Sequence, residues 1–164
     1  MSNQGKISSK ILAIDNFKPA VDEARAQQKK IVFTNGCFDI LHLGHIDYLS
    51  KAADLGDVLI IGLNTDESVK KLKGNNRPIN DQIARASMLA SLFYVDLIIP
   101  FSEPTPYKLI ESIAPDVLVK GGDYKEDEVV GNDIVKKNNG TIKIIDFLDG
   151  YSTTGLARMI RDSI

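Results

Sequence analysis

The chain has 164 residues, of which 43% are hydrophobic, and its 20 basic and 22 acidic residues leave a formal net charge of −2. This length and apolar content predict one domain-sized core, and the near balance of charge argues against bulk binding to nucleic acid or to an anionic membrane. A single cysteine excludes an intramolecular disulfide framework. No apolar run is long enough to span a membrane, and residues 1–10 lack the apolar centre of a signal peptide. We therefore expect a cytoplasmic protein whose partner is a small molecule.

Short apolar segments alternate with amphipathic segments along the chain. In chain order, the sequence predicts helix 18–28, strand 31–34, helix 45–55, strand 58–63, helix 65–71, helix 81–92, strand 97–100, helix 106–113, strand 117–120, helix 132–138, strand 142–145 and helix 153–161. This alternation is typical of the α/β class: a doubly wound five-stranded parallel sheet with helices on both faces. Ligands of such sheets bind at the carboxyl ends of the strands. We divide the chain into an N-terminal segment with a helix, 1–29, and a domain, 30–164.

Both histidines lie in residues 34–45, which read T-N-G-C-F-D-I-L-H-L-G-H, between the first strand and the next helix. We interpret Asn35-Gly36 as a turn. A strand, a glycine-containing loop and a helix start form an anion trap, because the N–H groups at a helix N-terminus carry partial positive charge. The pattern therefore predicts that His42 and His45 stand beside phosphate oxygens. The alternatives are that these histidines bind zinc together with Cys37 and Asp39, or that they have no role.

Other familiar sites are missing from the sequence. It contains no G-x-x-x-x-G-K-[ST] phosphate loop, no G-x-G-x-x-G after the first strand and no H-E-x-x-H. A dinucleotide-dependent oxidoreductase or an ordinary kinase is therefore disfavoured.

The histidine segment resembles that of the H-x-G-H nucleotidyltransferases. Further motifs follow in the order typical of that family: Asn64-Thr65-Asp66, Arg85, Val119 to Tyr124, and Gly150 to Thr154. The resemblance extends from residue 30 to the end of the chain and implies a Rossmann-like fold. Within the family, Lys71 to Gly74, Arg77 to Asn80 and Lys120 to Tyr124 resemble the heptose 1-phosphate adenylyltransferases.

This resemblance implies transfer of the adenylyl group of ATP to D-glycero-β-D-manno-heptose 1-phosphate, which gives the ADP-heptose used for lipopolysaccharide. Because the chain begins at its own Met1 and is too short to hold a sugar kinase, we expect the stand-alone form. One alternative is a cytidylyltransferase acting on an alcohol phosphate such as glycerol 3-phosphate. Another is a nucleotide-binding module without turnover.

The expected chemistry is direct attack by the sugar phosphate on the α-phosphorus of ATP. A phosphate monoester has a second pKa near ~6, so at neutral pH it needs no general base. The site must supply cations and N–H donors. We assign His42, His45 and Lys73 as catalytic, with Mg²⁺ bound mainly through the triphosphate and with no metal site on the protein. Lys70 and Lys71 are alternatives to Lys73, since a lysine run is usually a solvated helix face.

The remaining assignments follow the loops at the strand ends. Predicted nucleotide-binding residues are Gly36, Cys37, Phe38, Gly44, Asp66, Lys120, Gly121, Ser152, Thr153 and Thr154, and one of the last three should also cap a helix. Predicted substrate-binding residues are Thr34, Asn35, Asp39, Arg77, Arg85 and Asp123. A guanidinium can pair with phosphate oxygens, although Arg77 or Arg85 could instead form an ion pair. The resemblance makes a homodimer plausible, with residues 93–95 forming either an apolar patch or part of the core.

Overall fold

The computed structural model describes residues 1–122 and 124–163. All five predicted strands form, each one or two residues longer than expected: β1 Ile31–Gly36, β2 Val58–Asn64, β3 Leu97–Phe101, β4 Val117–Gly121 and β5 Thr141–Ile145. They form a parallel sheet in the order β3-β2-β1-β4-β5. The predicted turn at Asn35-Gly36 is wrong, because both residues belong to β1 and pair with Gly62 and Leu63 of β2. The prediction of an α/β, Rossmann-like doubly wound five-stranded parallel sheet is confirmed.

Eight α-helices connect or flank the strands in the described residues. They are α1 Asn3–Ser9, α2 Lys18–Ala26, α3 Leu43–Ala53, α4 Asp66–Lys73, α5 Gln82–Ala90, α6 Tyr107–Ile113, α7 Asn132–Lys137 and α8 Thr153–Asp162, with a 3₁₀ turn at Glu126–Glu128. The sequence predicts seven of them and misses α1. Helix α3 starts two residues earlier than predicted, since His42 takes the extended conformation of an N-cap. Ser152 caps α8 by accepting the Gly155 N–H, which confirms the cap expected among residues 152–154.

Two apolar layers cover the sheet, one on each face. Alternate residues of a strand point to opposite faces. The side chains of Phe33, Ile60, Ile99 and Leu118 pack against α2, α6 and α7. Their neighbours Val32, Ile61, Ile98 and Val119 pack in the other layer, which α3 and α5 complete. All seven residues of β2 are buried, as expected for a strand covered on both faces.

The N-terminal residues are joined to the sheet at the free edge of β3. Ile98 donates its N–H to the Lys10 carbonyl at 2.8 Å, and the Leu12 N–H donates to the Ile98 carbonyl at 2.9 Å. Ile7 and Ile11 are partly buried against the α3–α5 layer, and α1 packs against α5. The strap formed by residues 1–12 therefore protects an exposed strand edge. The division of the chain at residue 30 stays a prediction.

The expected apolar patch at residues 93–95 is divided between the core and the surface. Val95 is fully buried, whereas the side chain of Phe93 is 91% exposed. Tyr94 is half-buried and donates its hydroxyl to the Ile46 carbonyl at 3.2 Å. Among residues 93–95, Phe93 alone has a largely exposed apolar side chain, and the homodimer stays a prediction. Within the part of the chain that the structure describes, no helix has both the length and the apolar character needed to cross a membrane.

Candidate active site

A cleft of about 510 Å³ lies at the carboxyl ends of β1 and β4. The strand order reverses beside β1, and open α/β sheets bind ligands at such a switch point. Most of the predicted site residues line this cleft: Asn35, Gly36, Cys37, Phe38, Asp39, His42, Gly44, His45, Lys73, Lys120, Gly121, Ser152, Thr153 and Thr154. The N-terminal ends of α3 and α8 both meet it, so backbone N–H groups from two helices are directed at one space.

His42 and His45 form a stacked pair on the wall of the cleft. Their ring centroids are 3.8 Å apart with an interplanar angle of 21°. Phe38 packs edge-on against His45 at 5.2 Å, from a backbone with the positive φ of 45°. At Gly44 a Cβ would lie 3.1 Å from ring atoms of His42 and 3.2 Å from the Tyr151 Cβ, so a side chain there would crowd the pair.

The electrostatic surroundings keep both imidazoles neutral. Burial, followed by the positive charges of His42 and Lys73, lowers the pKa of His45 to about 4. Burial also lowers the pKa of His42. Each ring therefore carries one N–H at neutral pH, and neither Nδ1 has a hydrogen-bond partner among the described residues. Both Nδ1 atoms are buried, and buried polar atoms without a partner are uncommon in native proteins, which supports a functional role for the pair.

Two lysines supply positive charge to the cleft. Lys73 ends α4 and lines the cleft, whereas Lys71 forms an exposed ion pair with Glu67 at 2.6 Å. This difference supports the choice of Lys73 within the lysine run. The side chain of Lys120 reaches β1, where its Nζ donates to the Asn35 Oδ1 at 2.6 Å. Burial lowers the pKa of Lys120 to about 8.

Asp39 ties the loop after β1 to the segment that follows Lys73. Its side chain is 1% exposed, and Oδ1 accepts from the N–H groups of Ile79 and Asn80 at 2.7 and 3.1 Å. The other oxygen, Oδ2, lies 2.7 Å from the Arg77 Nε in an ion pair. Arg77 therefore takes the ion-pair alternative in this structure. The Asp39 carboxylate therefore holds residues 77–80 in place.

Arg85 is fully buried beneath the cleft. Its Nη1 donates to the carbonyls of Cys37 and Asn64, at 2.7 and 2.8 Å, and its Nε donates to the Asn80 carbonyl at 3.0 Å. Its Nη2 pairs with the Asp66 carboxylate at 2.8 Å. One guanidinium thus joins the ends of β1 and β2 to the segment before α5, and it does not line the cleft.

Two more predicted residues, Thr34 and Asp66, lie apart from the cleft lining. Thr34 is fully buried, and its Oγ1 shares a hydrogen bond of 2.7 Å with the Tyr48 hydroxyl. Asp66 is occupied by Arg85. Asp123 lies outside the described residues. The side chains of Thr34, Asp66, Arg77 and Arg85 all make contacts within the protein. The ligand contacts predicted for these four residues stay predictions.

Sequence reasoning missed an aromatic side of the cleft. Its lining also includes Tyr48, Tyr124, Phe147, Leu148 and Tyr151. Phe147 stands alone after β5, so no spacing in the sequence connects it with the histidine loop. The one sequence feature that indicates a large side chain here is the pair Gly121-Gly122 at the end of β4, because two glycines leave room for a large neighbour.

The geometry does not assemble the zinc ligands considered above. The rings of His42 and His45 are stacked against each other, and Asp39 is paired with Arg77. Burial raises the pKa of the Cys37 thiol, which disfavours the thiolate that a metal or a nucleophilic mechanism needs. Across residues 1–122 and 124–163, no group of three or more histidine, cysteine, aspartate or glutamate side chains is arranged to hold a metal ion.

A parallel sheet with the segment His42-Leu43-Gly44-His45 at its switch point fits the nucleotidyltransferase class. Residues 33–157 match the family described as cytidylyltransferase-like, and the chain belongs to that family. Residues 33–157 are therefore a domain of the nucleotidyltransferase class.

Curated relatives are longer than this chain. The bifunctional protein HldE of Wolinella succinogenes is 52% identical over 162 residues, which cover 99% of this chain and 33% of that protein. The bifunctional protein HldE of Nitratiruptor sp. is 60% identical over 133 residues, which cover 81% of this chain and 28% of that protein. The chain thus spans about a third of the length of these relatives.

Two solved structures share the fold. The lipopolysaccharide core biosynthesis protein from Thermoplasma volcanium superposes with a TM-score of 0.60 at 32% identity, covering 76% of this chain and 99% of that one. Pantoate-β-alanine ligase from Francisella tularensis, in complex with β-γ ATP and β-alanine, superposes with a TM-score of 0.56 at 18% identity, covering 92% and 77%. The second likeness shows the fold alone.

Proposed function

We propose that the protein transfers the adenylyl group of ATP to D-glycero-β-D-manno-heptose 1-phosphate, releasing pyrophosphate and forming ADP-heptose. The observation that carries the proposal is the stacked pair of His42 and His45 at the start of α3, inside a cleft that a second helix N-terminus also faces. The choice of acceptor is supported by the resemblance of residues 71–80 and 120–124 to heptose 1-phosphate adenylyltransferases. The description of the Thermoplasma volcanium protein as one of lipopolysaccharide core biosynthesis agrees with it.

In this reaction an oxygen of the sugar 1-phosphate attacks the α-phosphorus in line, forming a P–O bond as the bond to pyrophosphate breaks. The acceptor phosphate is already an anion at neutral pH, because its second pKa is near ~6. The enzyme's task is to hold two anions together and to stabilise the charge that develops on the leaving pyrophosphate. Magnesium enters with ATP, held mainly by the triphosphate oxygens.

The histidines suit that task because their state responds to the substrate. In the free protein His45 is a neutral imidazole with a pKa of about 4. A triphosphate beside it favours the protonated form, since a nearby negative charge raises a histidine pKa. The N–H bonds from His42 and His45 to the phosphates therefore strengthen as negative charge grows. Lys73, at the end of α4, adds a cation to the same cleft.

The test is pyrophosphate release by the full chain with Mg²⁺. ATP and CTP are each supplied with heptose 1-phosphate, with glycerol 3-phosphate or with no acceptor. We expect turnover only with ATP and the heptose phosphate. His45→Ala should lower kcat by about 10²- to 10³-fold, the loss typical of removing one donor to developing charge. Lys71→Ala is the matched control for Lys73→Ala, because Lys71 lies in an exposed ion pair.

Two results would contradict the proposal in different ways. Turnover with CTP and glycerol 3-phosphate alone would identify the cytidylyltransferase alternative. If ATP binds but pyrophosphate is released with neither acceptor, the protein is a nucleotide-binding module without this reaction.

A further inference from the structure

Part of the cleft lining, beside the end of β4, is built from apolar and aromatic groups. Phe147, Leu148 and Tyr124 line it together with Gly121 at the end of β4. The side chain of Phe147 is 67% exposed although it borders a cleft, and that of Tyr124 is 53% exposed. Large apolar side chains gathered in a concave site, beside polar groups, are typical of a ligand pocket.

Phe147 has a fixed seat on the sheet. A Cβ added at Gly121 would lie 2.6 Å from its Cε1, and one added at Gly122 would lie 2.6 Å from its Cε2. The outer end of the ring therefore rests on two consecutive glycines, where no side chain fits. Gly122 also has a φ of 92°, a conformation that disfavours other residues. The Gly121-Gly122 pair positions the ring while leaving its side chain open to the cleft.

The other walls of the cleft suit the charged parts of the two substrates. The N-terminal ends of α3 and α8, with Gly44 and residues 152–154, present N–H and hydroxyl groups that suit a triphosphate. Lys120 and Asn35 form a polar wall beside β1 that suits a phosphorylated acceptor. The aromatic end is what remains for the nucleobase, the one substrate group with an uncharged π-face.

We propose that the ring of Phe147 is the surface on which the purine base of the nucleoside triphosphate stacks, and that Gly121-Gly122 is the seat that aims it. This inference rests on the proposed function for the identity of the nucleotide, and it adds the residue that recognises the base. A purine presents a larger face than a pyrimidine, so the contact favours ATP over CTP. Base–aromatic stacking has effects of roughly 10-fold or more in binding.

The experiment measures binding by calorimetry on the full chain, with ATP, CTP and inorganic triphosphate as ligands. We expect Phe147→Ala to weaken ATP binding by roughly 10-fold, CTP binding by less, and inorganic triphosphate binding not at all. Phe147→Trp should restore ATP binding. Gly121→Ala should reproduce the base-selective loss, because its Cβ displaces the ring. Met159→Ala is the control, a change at an apolar side chain of α8 that is 60% exposed and does not line the cleft.

Several results would overturn the inference. They are unchanged ATP binding by Phe147→Ala, an equal loss for ATP and inorganic triphosphate, or no ATP binding by the unaltered protein. The outcome is separable from that of the proposed function. Base-selective loss of binding without turnover of either acceptor would sustain the role of Phe147 and contradict the proposed reaction. Turnover with the heptose phosphate and an unchanged KM for ATP in Phe147→Ala would support the proposed reaction and contradict the role of Phe147.

Discussion

Lys120 is the cleft residue whose charge changes closest to physiological pH. Burial lowers its pKa from 10.5 to about 8, so it is protonated below that pH and neutral above it. An anionic substrate beside Nζ favours the charged form, and binding therefore weakens as the pH rises through about 8. We expect the KM of a phosphate-bearing substrate to increase by about 3- to 10-fold from pH 7 to pH 9.

Steady-state kinetics across this pH range checks the expectation. Lys120→Arg should flatten the increase in KM, because a guanidinium stays charged throughout. Lys143→Arg, at an exposed position on β5, is the matched control and should keep the profile of the unaltered protein. A Lys120→Arg profile that rises in parallel with the original would assign the titration to another group.

The sequence predicted the residues that line the cleft better than the buried polar contacts that support them. Residues 36–45 and 152–154 are local motifs whose backbone already directs N–H groups to one place, so their grouping follows from the fold class. Arg85 was predicted to contact the substrate because a guanidinium can pair with phosphate oxygens, and Asp39 because it lies in the loop after the first strand. Their partners include carbonyl, carboxylate and N–H groups that lie 19 to 48 positions away in the chain, and no spacing rule predicts such contacts.

At the scale of elements, the Asp39 carboxylate fixes the segment that follows α4. Asp39→Asn keeps the shape of the side chain but removes the negative charge that pairs with Arg77. It also leaves the N–H of Ile79 with an amide oxygen, which is a poorer acceptor than a carboxylate. We expect a loss of about 1–3 kcal/mol in the free energy of unfolding, the cost of an impaired buried polar contact. The amides of Ile79 and Asn80 should exchange faster with solvent, measured by hydrogen exchange.

Glu67→Gln is the control, because its pair with Lys71 is exposed on both sides and contributes little. An Asp39→Asn protein with native exchange at residues 79 and 80 would show that other contacts hold this segment.

The elements of regular structure followed from periodicity, with one exception. The strands are apolar and the helices amphipathic, so their patterns were visible without the fold. Helix α1 was missed because residues 1–10 are mostly polar. Its start depends on the Ser2 cap, and its packing depends on α5, more than 70 residues further along the chain. Tertiary contact, rather than local pattern, accounts for this helix.

At the scale of the whole molecule, the strap of residues 1–12 closes the β3 edge of the sheet, while the cleft opens at the ends of β1 and β4. Removal of residues 1–12 should therefore lower the stability of the protein and leave its activity unchanged. Deleting residues 1–12 removes two backbone hydrogen bonds to Ile98 and the side chains of Ile7 and Ile11, which exposes the apolar surface of the α3–α5 layer that they cover. We expect a loss of about 2–4 kcal/mol in the free energy of unfolding, at about 1 kcal/mol for each hydrogen bond and partly buried side chain.

Urea denaturation of the deleted and full chains measures this loss, and the KM for ATP should stay within about 2-fold because no cleft residue is touched. The double substitution Ile7→Ala, Ile11→Ala separates the two contributions, since it removes the apolar contacts and keeps the backbone bonds. Equal stability of the deleted and full chains would show that residues 1–12 are an appendage that does not stabilise the sheet. A large rise in KM would instead link the β3 edge to the cleft through α5, whose Arg85 holds the loops of the site.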